Sequence, residues 1–188
     1  MSKTKVIANG FSLIELMVVV SIVGILIAVA APSFQGIIIK NKVQAAASEF
    51  QSALALARSE AIKRGGDARI TVVANSLASG TAVWTSGMTV FYDTTTNANG
   101  NVPPTDATKL LMQTAAMDSN VQASVNFNAI TFNGFGRSIS STGAPLGGTA
   151  AFGSANSDWI CNVISLSGRV NSQTVANATY NQTPVGCK

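Results

Sequence analysis

From Phe11 to Ala31 the chain is apolar except for one ionisable side chain, Glu15. About 20 such residues are enough to cross the ~30 Å hydrocarbon core of a bilayer as a helix, so this stretch constrains everything attached to it. A carboxylate inside such a span costs about 2.5–3.5 kcal/mol on insertion scales; it needs a partner and usually marks function. Two plainer readings stand beside that one. The run is a simple anchor with Glu15 incidental, or it is a secretory signal peptide cleaved after the small-x-small sequence Ala28-Val29-Ala30. Against cleavage there, the carboxylate sits within the apolar region and the helical pattern continues past Ala30.

The stretch Gly10-Phe11-Ser12-Leu13-Ile14-Glu15-Leu16, after a short basic leader, resembles the processing site of type IV pilins and type II secretion pseudopilins. The resemblance implies that a prepilin peptidase cuts between Gly10 and Phe11 and methylates the new N-terminus at Phe11. Glu15 then becomes the fifth residue of the mature chain and the residue that guides assembly. The implied organisation is a leader at 1–10, a transmembrane part of the helix at 11–38, an amphipathic part at 39–65, and a β-rich globular domain at 66–188.

Pro32 falls inside the expected helix. It lacks an N–H, so the Ala28 carbonyl loses its partner and the ring favours a kink; Gly24 and Gly36 weaken the same region. A local bend or melted stretch is expected. In pilin-like proteins a proline near this position marks the part of the helix that unwinds on filament packing; the alternative is a harmless kink. Past the membrane, Val43, Ala46, Ala47, Phe50, Leu54, Ala57 and Ala61 recur at spacings of three or four, an apolar face for docking on a sheet. Gly65-Gly66 after Lys63-Arg64 is a helix stop with cations at the negative end of the dipole. A helix from Phe11 to Arg64 is about 80 Å long at about 1.5 Å per residue.

The segment Arg58-Ser59-Glu60-Ala61-Ile62-Lys63-Arg64 is similar to the signature ending the long helix in the GspH/FimT group of minor pseudopilins and minor type IV pilins. Residues Trp84 to Asp93 resemble that group's tryptophan-to-aspartate strand, and Ile164-Ser165-Leu166-Ser167-Gly168-Arg169-Val170 its C-terminal strand-turn-strand. The fold class implied is α+β, a pilin-like fold with the long N-terminal helix packed on a C-terminal antiparallel β-sheet domain. Alternation predicts strands over Ala68–Ala74, Met88–Asp93, Val121–Phe127 and Ala129–Asn133, and a hairpin of Trp159–Ser167 with Arg169–Ala176. Thr94–Thr108, with Pro103-Pro104, reads as a polar loop, and Ser138–Gly148 as a mobile Gly/Ser-rich one.

The composition narrows the chemistry. Charged residues are only 11% of the chain, and the C-terminal two-thirds is rich in Ser, Thr, Asn and Gly, as suits an extracytoplasmic β domain. There is no His, which excludes a Ser-His-Asp or Cys-His site and any His-ligated metal. No acid, base or nucleophile constellation emerges, so no enzyme, catalytic residue or cofactor is expected. Asp93, Asn97 and Asn99 before Gly100 offer alternating oxygens, but with one carboxylate and no EF-hand spacing a solvated turn is the better reading than a calcium loop, and no metal is expected.

Cys161 and Cys187 have neither a metal nor a redox spacing. In an oxidising compartment they pair, stabilising by roughly 3–4 kcal/mol on the chain-entropy estimate; the alternative is two buried thiols. Flanking charge leaves orientation nearly tied, with Lys3 and Lys5 before the span and Lys40 and Lys42 after it. The disulfide breaks the tie and puts the C-terminal domain in the periplasm, anchored by a single pass to the inner membrane.

The balance of 12 basic to 8 acidic residues falls to +2 once Lys3 and Lys5 leave with the leader, too weak to argue a nucleic-acid partner from net charge. The FimT-like branch of the group binds DNA through a C-terminal Gly-Arg-x-Arg motif. The match here is Gly168-Arg169-Val170-Asn171, with the second arginine replaced. Two functions follow. The first is a structural subunit of a type IV pilus or type II secretion pseudopilus, with prepilin peptidase, other pilins and the inner membrane as partners. The alternative is a FimT-like minor pilin for natural transformation, binding DNA weakly through Arg137, Arg169 and Lys188 if these form one exposed basic patch.

Overall fold

A computed structural model describes residues 11–78, 81–93, 109–140, 142–155, 157–176 and 187, without the side chains of residues 28–33. The chain divides into two compact units, Met1–Ile38 and Ile39–Lys188. One helix, α1 (Leu13–Arg64), contributes to both.

In the first unit the helix begins at Leu13 rather than Phe11. Ser12 acts as its N-cap: its Oγ accepts the Glu15 N–H at 3.3 Å, and its carbonyl accepts the N–H groups of Glu15 and Leu16 at 3.1 and 3.2 Å. From Leu13 to Ile27 every side chain is exposed in the isolated chain. The backbone stays helical through Pro32, so the melted stretch expected there is absent. Among the described residues, no helix is long and apolar enough to cross a membrane.

In the second unit the rest of α1 packs on antiparallel sheets. The strands are β1 (Arg69–Ala74), β2 (Leu77–Ala78), β3 (Thr81–Ala82), β4 (Met88–Tyr92), β5 (Leu110–Gln113), β6 (Gln122–Val125), β7 (Ala129–Asn133), β8 (Ser138–Ile139), β9 (Gly148–Ser154), β10 (Ser157–Ile164) and β11 (Val170–Val175), with a 3-10 turn at Trp84–Ser86. One sheet runs β5-β4-β1-β7-β8, a second β11-β10-β9-β6, and β2-β3 is a small ribbon. This is an α+β, pilin-like fold. The buried stripe of α1 comprises the seven positions predicted from spacing plus Ala53. Its alanines let the helix sit close to the sheets while Phe50 reaches between them, 5.5 Å from the Trp84 ring and 5.2 Å from Phe152. Trp84 in turn meets Phe127 edge-on at 5.5 Å and donates its indole N–H to the Phe127 carbonyl at 3.2 Å. Such aromatic pairs contribute about 0.5–1.5 kcal/mol each beyond their buried area.

The alternation reading found β1, β4, β6, β7 and the β10–β11 hairpin within a few residues of their ends, and missed β5, β8 and β9 as well as the β2–β3 ribbon. The expected mobile loop at Ser138–Gly148 is corrected. It opens with β8, closes through a bridge between Ile139 and Pro145, and is crossed by the Ser140 N–H to the Ala144 carbonyl at 2.8 Å. Buried Ser138 adds an Oγ–H bond to the Ser165 carbonyl at 2.8 Å. The predicted loop Thr94–Thr108 lies outside the described residues.

A polar clamp joins the helix to the segment between β5 and β6. Lys42 Nζ donates to Asp118 Oδ2 at 2.6 Å, and Asn120 donates to Oδ1 from its backbone and side chain at 3.0 and 2.8 Å. The Lys42 hydrogen bond, then those from Asn120, hold the Asp118 carboxyl down from its ordinary 3.8 to about 2. A depressed carboxyl stabilises the fold fully above the unfolded value and loses that contribution as pH falls through the folded one. Lys42→Met is therefore expected to be less stable than wild type at pH 6, with the difference shrinking between pH 4 and pH 2. Urea midpoints across that range measure it.

Candidate functional site

Two regions hold the residues singled out from sequence. At the N-terminal one, Phe11 precedes the helix and is exposed, and Glu15 is the third helical residue. The spacing Ser12-x-x-Glu15 is that of a capping box, a signal overlooked in the sequence reading. It sets the carboxylate at the positive end of the helix dipole. Gly10 lies outside the described residues, as does the side chain of Pro32.

The second region lies where α1 ends and two hairpin turns meet. The β7–β8 turn is braced by Asn133, whose Oδ1 accepts the N–H groups of Phe135 and Arg137 at 3.1 and 3.0 Å. The Gly136 N–H donates to the Asn133 carbonyl at 2.8 Å. Gly136 takes φ 72, a conformation that favours glycine, and a Cβ there would lie 2.7 Å from Ile62 Cδ1, which would have to shift. Its carbonyl accepts Arg58 Nε–H at 3.1 Å. Gly168, at φ 76 in the β10–β11 turn, approaches so near that a Cβ there would collide with the Gly136 carbonyl. Two Gly-Arg pairs far apart in sequence thus sit on adjoining turns, with Arg137 and Arg169 both exposed. Lys188 lies outside the described residues, so of the expected patch the described residues include these two arginines. Asn171, on β11, supplies no cation in place of the missing arginine.

Sequence reasoning missed Arg58, Asn133 and Phe135. The Asn133-Gly134-Phe135-Gly136 run, with an aromatic residue between two glycines, was the available signal. Among the described residues no group of three or more His, Cys, Asp or Glu side chains is placed to hold a metal. Asp93 is buried at the end of β4, its N–H on the Arg69 carbonyl at 2.9 Å, whereas Asn97, Asn99 and Gly100 lie outside the described residues.

Cys161 and Cys187 form a disulfide with their Cα atoms 5.7 Å apart, closing a separation of 26 positions. Cys161 stands on β10 between Ala151 of β9 and Gln173 of β11. With Ala151, Trp159 and Cys187 it makes a small apolar cluster separate from the main core. Cys187→Ser is expected to lower stability by about 2–5 kcal/mol, read from urea unfolding. Loss of cover over Trp159 should also shift tryptophan emission to the red, and non-reducing peptide mapping of wild type should show the two cysteines joined.

Known proteins with similar sequences or folds can be set beside this geometry. The family model described as type II transport protein GspH matches residues 46–168, and the model for the prokaryotic N-terminal methylation motif matches residues 8–31. Two fimbrial proteins of Pseudomonas aeruginosa are each 50% identical over 57 residues, 30% of this chain; the match spans 36% of their own length, about a third. The crystal structure of the type IV minor pilin FimU from Pseudomonas aeruginosa is similar in fold, with a TM-score of 0.54 at 22% identity over 77% of this chain and 96% of that one. A second crystal form gives 0.50 at 21% identity over 75% and 98%.

Proposed function

The chain belongs to the GspH family, and from that premise we propose that it is a minor pilin, processed by prepilin peptidase and co-assembled with other pilins from the inner membrane. The observation that carries this reading is the methylation motif over residues 8–31 in one chain with the GspH match over 46–168. The likeness to FimU and to the fimbrial proteins supports a pilus over a secretion pseudopilus. The apolar run Phe11–Ala31 is the proposed single-pass anchor, and the disulfide supports a periplasmic place for the second unit. The leader at 1–10, with cleavage before Phe11 and methylation there, completes the proposal.

Glu15 is proposed to set the register of assembly. Cleavage after Gly10 leaves an α-amine on Phe11. An amine and a carboxylate in low dielectric attract strongly, while either alone is penalised. Within the chain, the Ser12 Oγ accepts the Glu15 backbone N–H and Phe11 stands outside the helix. The carboxylate can pair with the amine of its own chain or of a neighbouring subunit, and the family resemblance favours the neighbour.

DNA capture is the second reading. It draws on the adjoining turns that bring Arg137 and Arg169 together. Two arginines neutralise about two phosphates, so binding through them is weak and its salt dependence shallow.

Gly10→Val is expected to block cleavage, so that mass spectrometry of the membrane form finds Met1 retained where wild type begins at methylated Phe11. Wild type beginning at Ala31 would instead establish a secretory signal. Glu15→Leu removes the penalty along with the attraction. It should insert and be processed normally, yet be depleted about tenfold or more from sheared filaments relative to the membrane fraction. Wild-type incorporation of this variant would remove Glu15 from assembly.

A further inference from the structure

Within residues 39–188, the described large apolar side chains that are at least half exposed are Phe135 at 81%, Leu166 at 52% and Ile62 at 50%. All three belong to the pole where α1 ends. Ile62 touches Gly136, and Phe135 and Leu166 lie on the two turns that meet through Gly136 and Gly168. Soluble surfaces scatter such residues singly, so their concentration at one pole marks a contact surface. The backbone at Phe135 is braced. Asn133 fixes its backbone N–H, and the flanking turn is pinned by Arg58 on the Gly136 carbonyl. An exposed aromatic side chain on a braced backbone suits the anchor of an interface.

The charge around it is one-sided. Arg58, Lys63, Arg64, Arg69, Arg137 and Arg169 lie toward this end of the fold against Glu60, Asp67 and Asp93, and Glu60 is already shared by Lys63 and Arg64 at 3.5 and 3.6 Å. Neither Arg137 nor Arg169 has an ion-pair partner among the described residues. We propose that this pole is a docking knob: Phe135 enters an apolar recess on an acidic protein face, and Arg137 and Arg169 pair with carboxylates at its rim. The inference deepens the minor-pilin reading and rests on it only for the identity of the partner as a neighbouring filament subunit. Nucleic acid fits less well. One aromatic ring makes no platform for successive bases, and the aliphatic Ile62 and Leu166 have nothing to stack on.

The test places the photo-cross-linker p-benzoyl-phenylalanine at position 135 of the full chain, in the bacterium that makes it. Membrane and sheared-filament fractions are both analysed. The proposal expects one protein adduct whose linked peptide is acidic. The double variant Arg137→Glu/Arg169→Glu should lower its yield about tenfold, and charge reversal in the linked peptide should restore it. Phe135→Ser should melt close to wild type, because its side chain contributes little burial. An adduct with DNA, an adduct with a second copy of this chain, or a yield no higher than from a control at exposed Asp158 would each overturn the proposal. The same fractions separate the two readings. The chain present in filaments without an adduct defeats the docking knob alone; an acidic adduct with no chain in filaments supports the knob and defeats the minor-pilin assignment.

Discussion

The second unit depends on the burial of one helix stripe. Val43, Phe50 and Leu54 are each worth about 1.5–3 kcal/mol when fully buried, and the alanines between them set how near the helix can come. Phe50 is the pivot, because its ring meets Trp84, which leads into β4, and Phe152 of β9 in the other sheet. The stripe also admits a polar group under strict terms. Asn162 on β10 is fully buried beneath the helix, where Gln51 Nε2 donates to its Oδ1 at 2.6 Å and its own amide reaches the Ala47 carbonyl at 3.4 Å. A buried amide without these partners would carry its whole desolvation cost, so Asn162 fixes the register of the helix on the sheet.

What sequence could reveal follows from the range of the interactions involved. The stripe of α1 is a local period of three and four, and the helix stop is two adjacent glycines, so both were legible. Strands with β-branched residues on a face, such as β1 and β7, were legible for the same reason. β9 was not. It reads Gly-Thr-Ala-Ala-Phe-Gly-Ser, and its glycines answer to rings on other strands and loops: Trp159 of the next strand covers Gly153, and Phe127 covers Gly148. A strand that serves as the floor for aromatic side chains loses the alternation by which strands are recognised. The Lys42–Asp118 clamp spans 76 positions and leaves no local trace at all.

The pole at the end of α1 shows the same limit at a functional surface. Each arginine could be picked out because it followed a glycine, but only the fold says why glycine precedes it. Both glycines hold a positive φ; a side chain on Gly168 would collide with the Gly136 carbonyl and push the two turns apart, while one on Gly136 would meet Ile62 and Arg58 of the helix. Phe135 gained no weight from sequence, since an aromatic residue near a strand end is ordinarily a core residue. Here its ring is exposed, on a turn whose backbone Asn133 braces.

One helix serves two different surroundings. Leu13 is 76% exposed and Val43 is 1% exposed, although both are aliphatic residues of α1. From residue 39 onward the apolar residues of the helix are mostly matched by partners within the chain. From Leu13 to Ile27 they are exposed, and their burial must come from outside the isolated chain. Lipid can supply that for the aliphatic side chains but not for Glu15, which gains nothing from hydrocarbon. An environment of neighbouring helices satisfies both, because apolar flanks and an α-amine can arrive together. On the proposed minor-pilin reading, the first unit has two states for the same residues, one in lipid and one among subunits, and Glu15 separates them in energy.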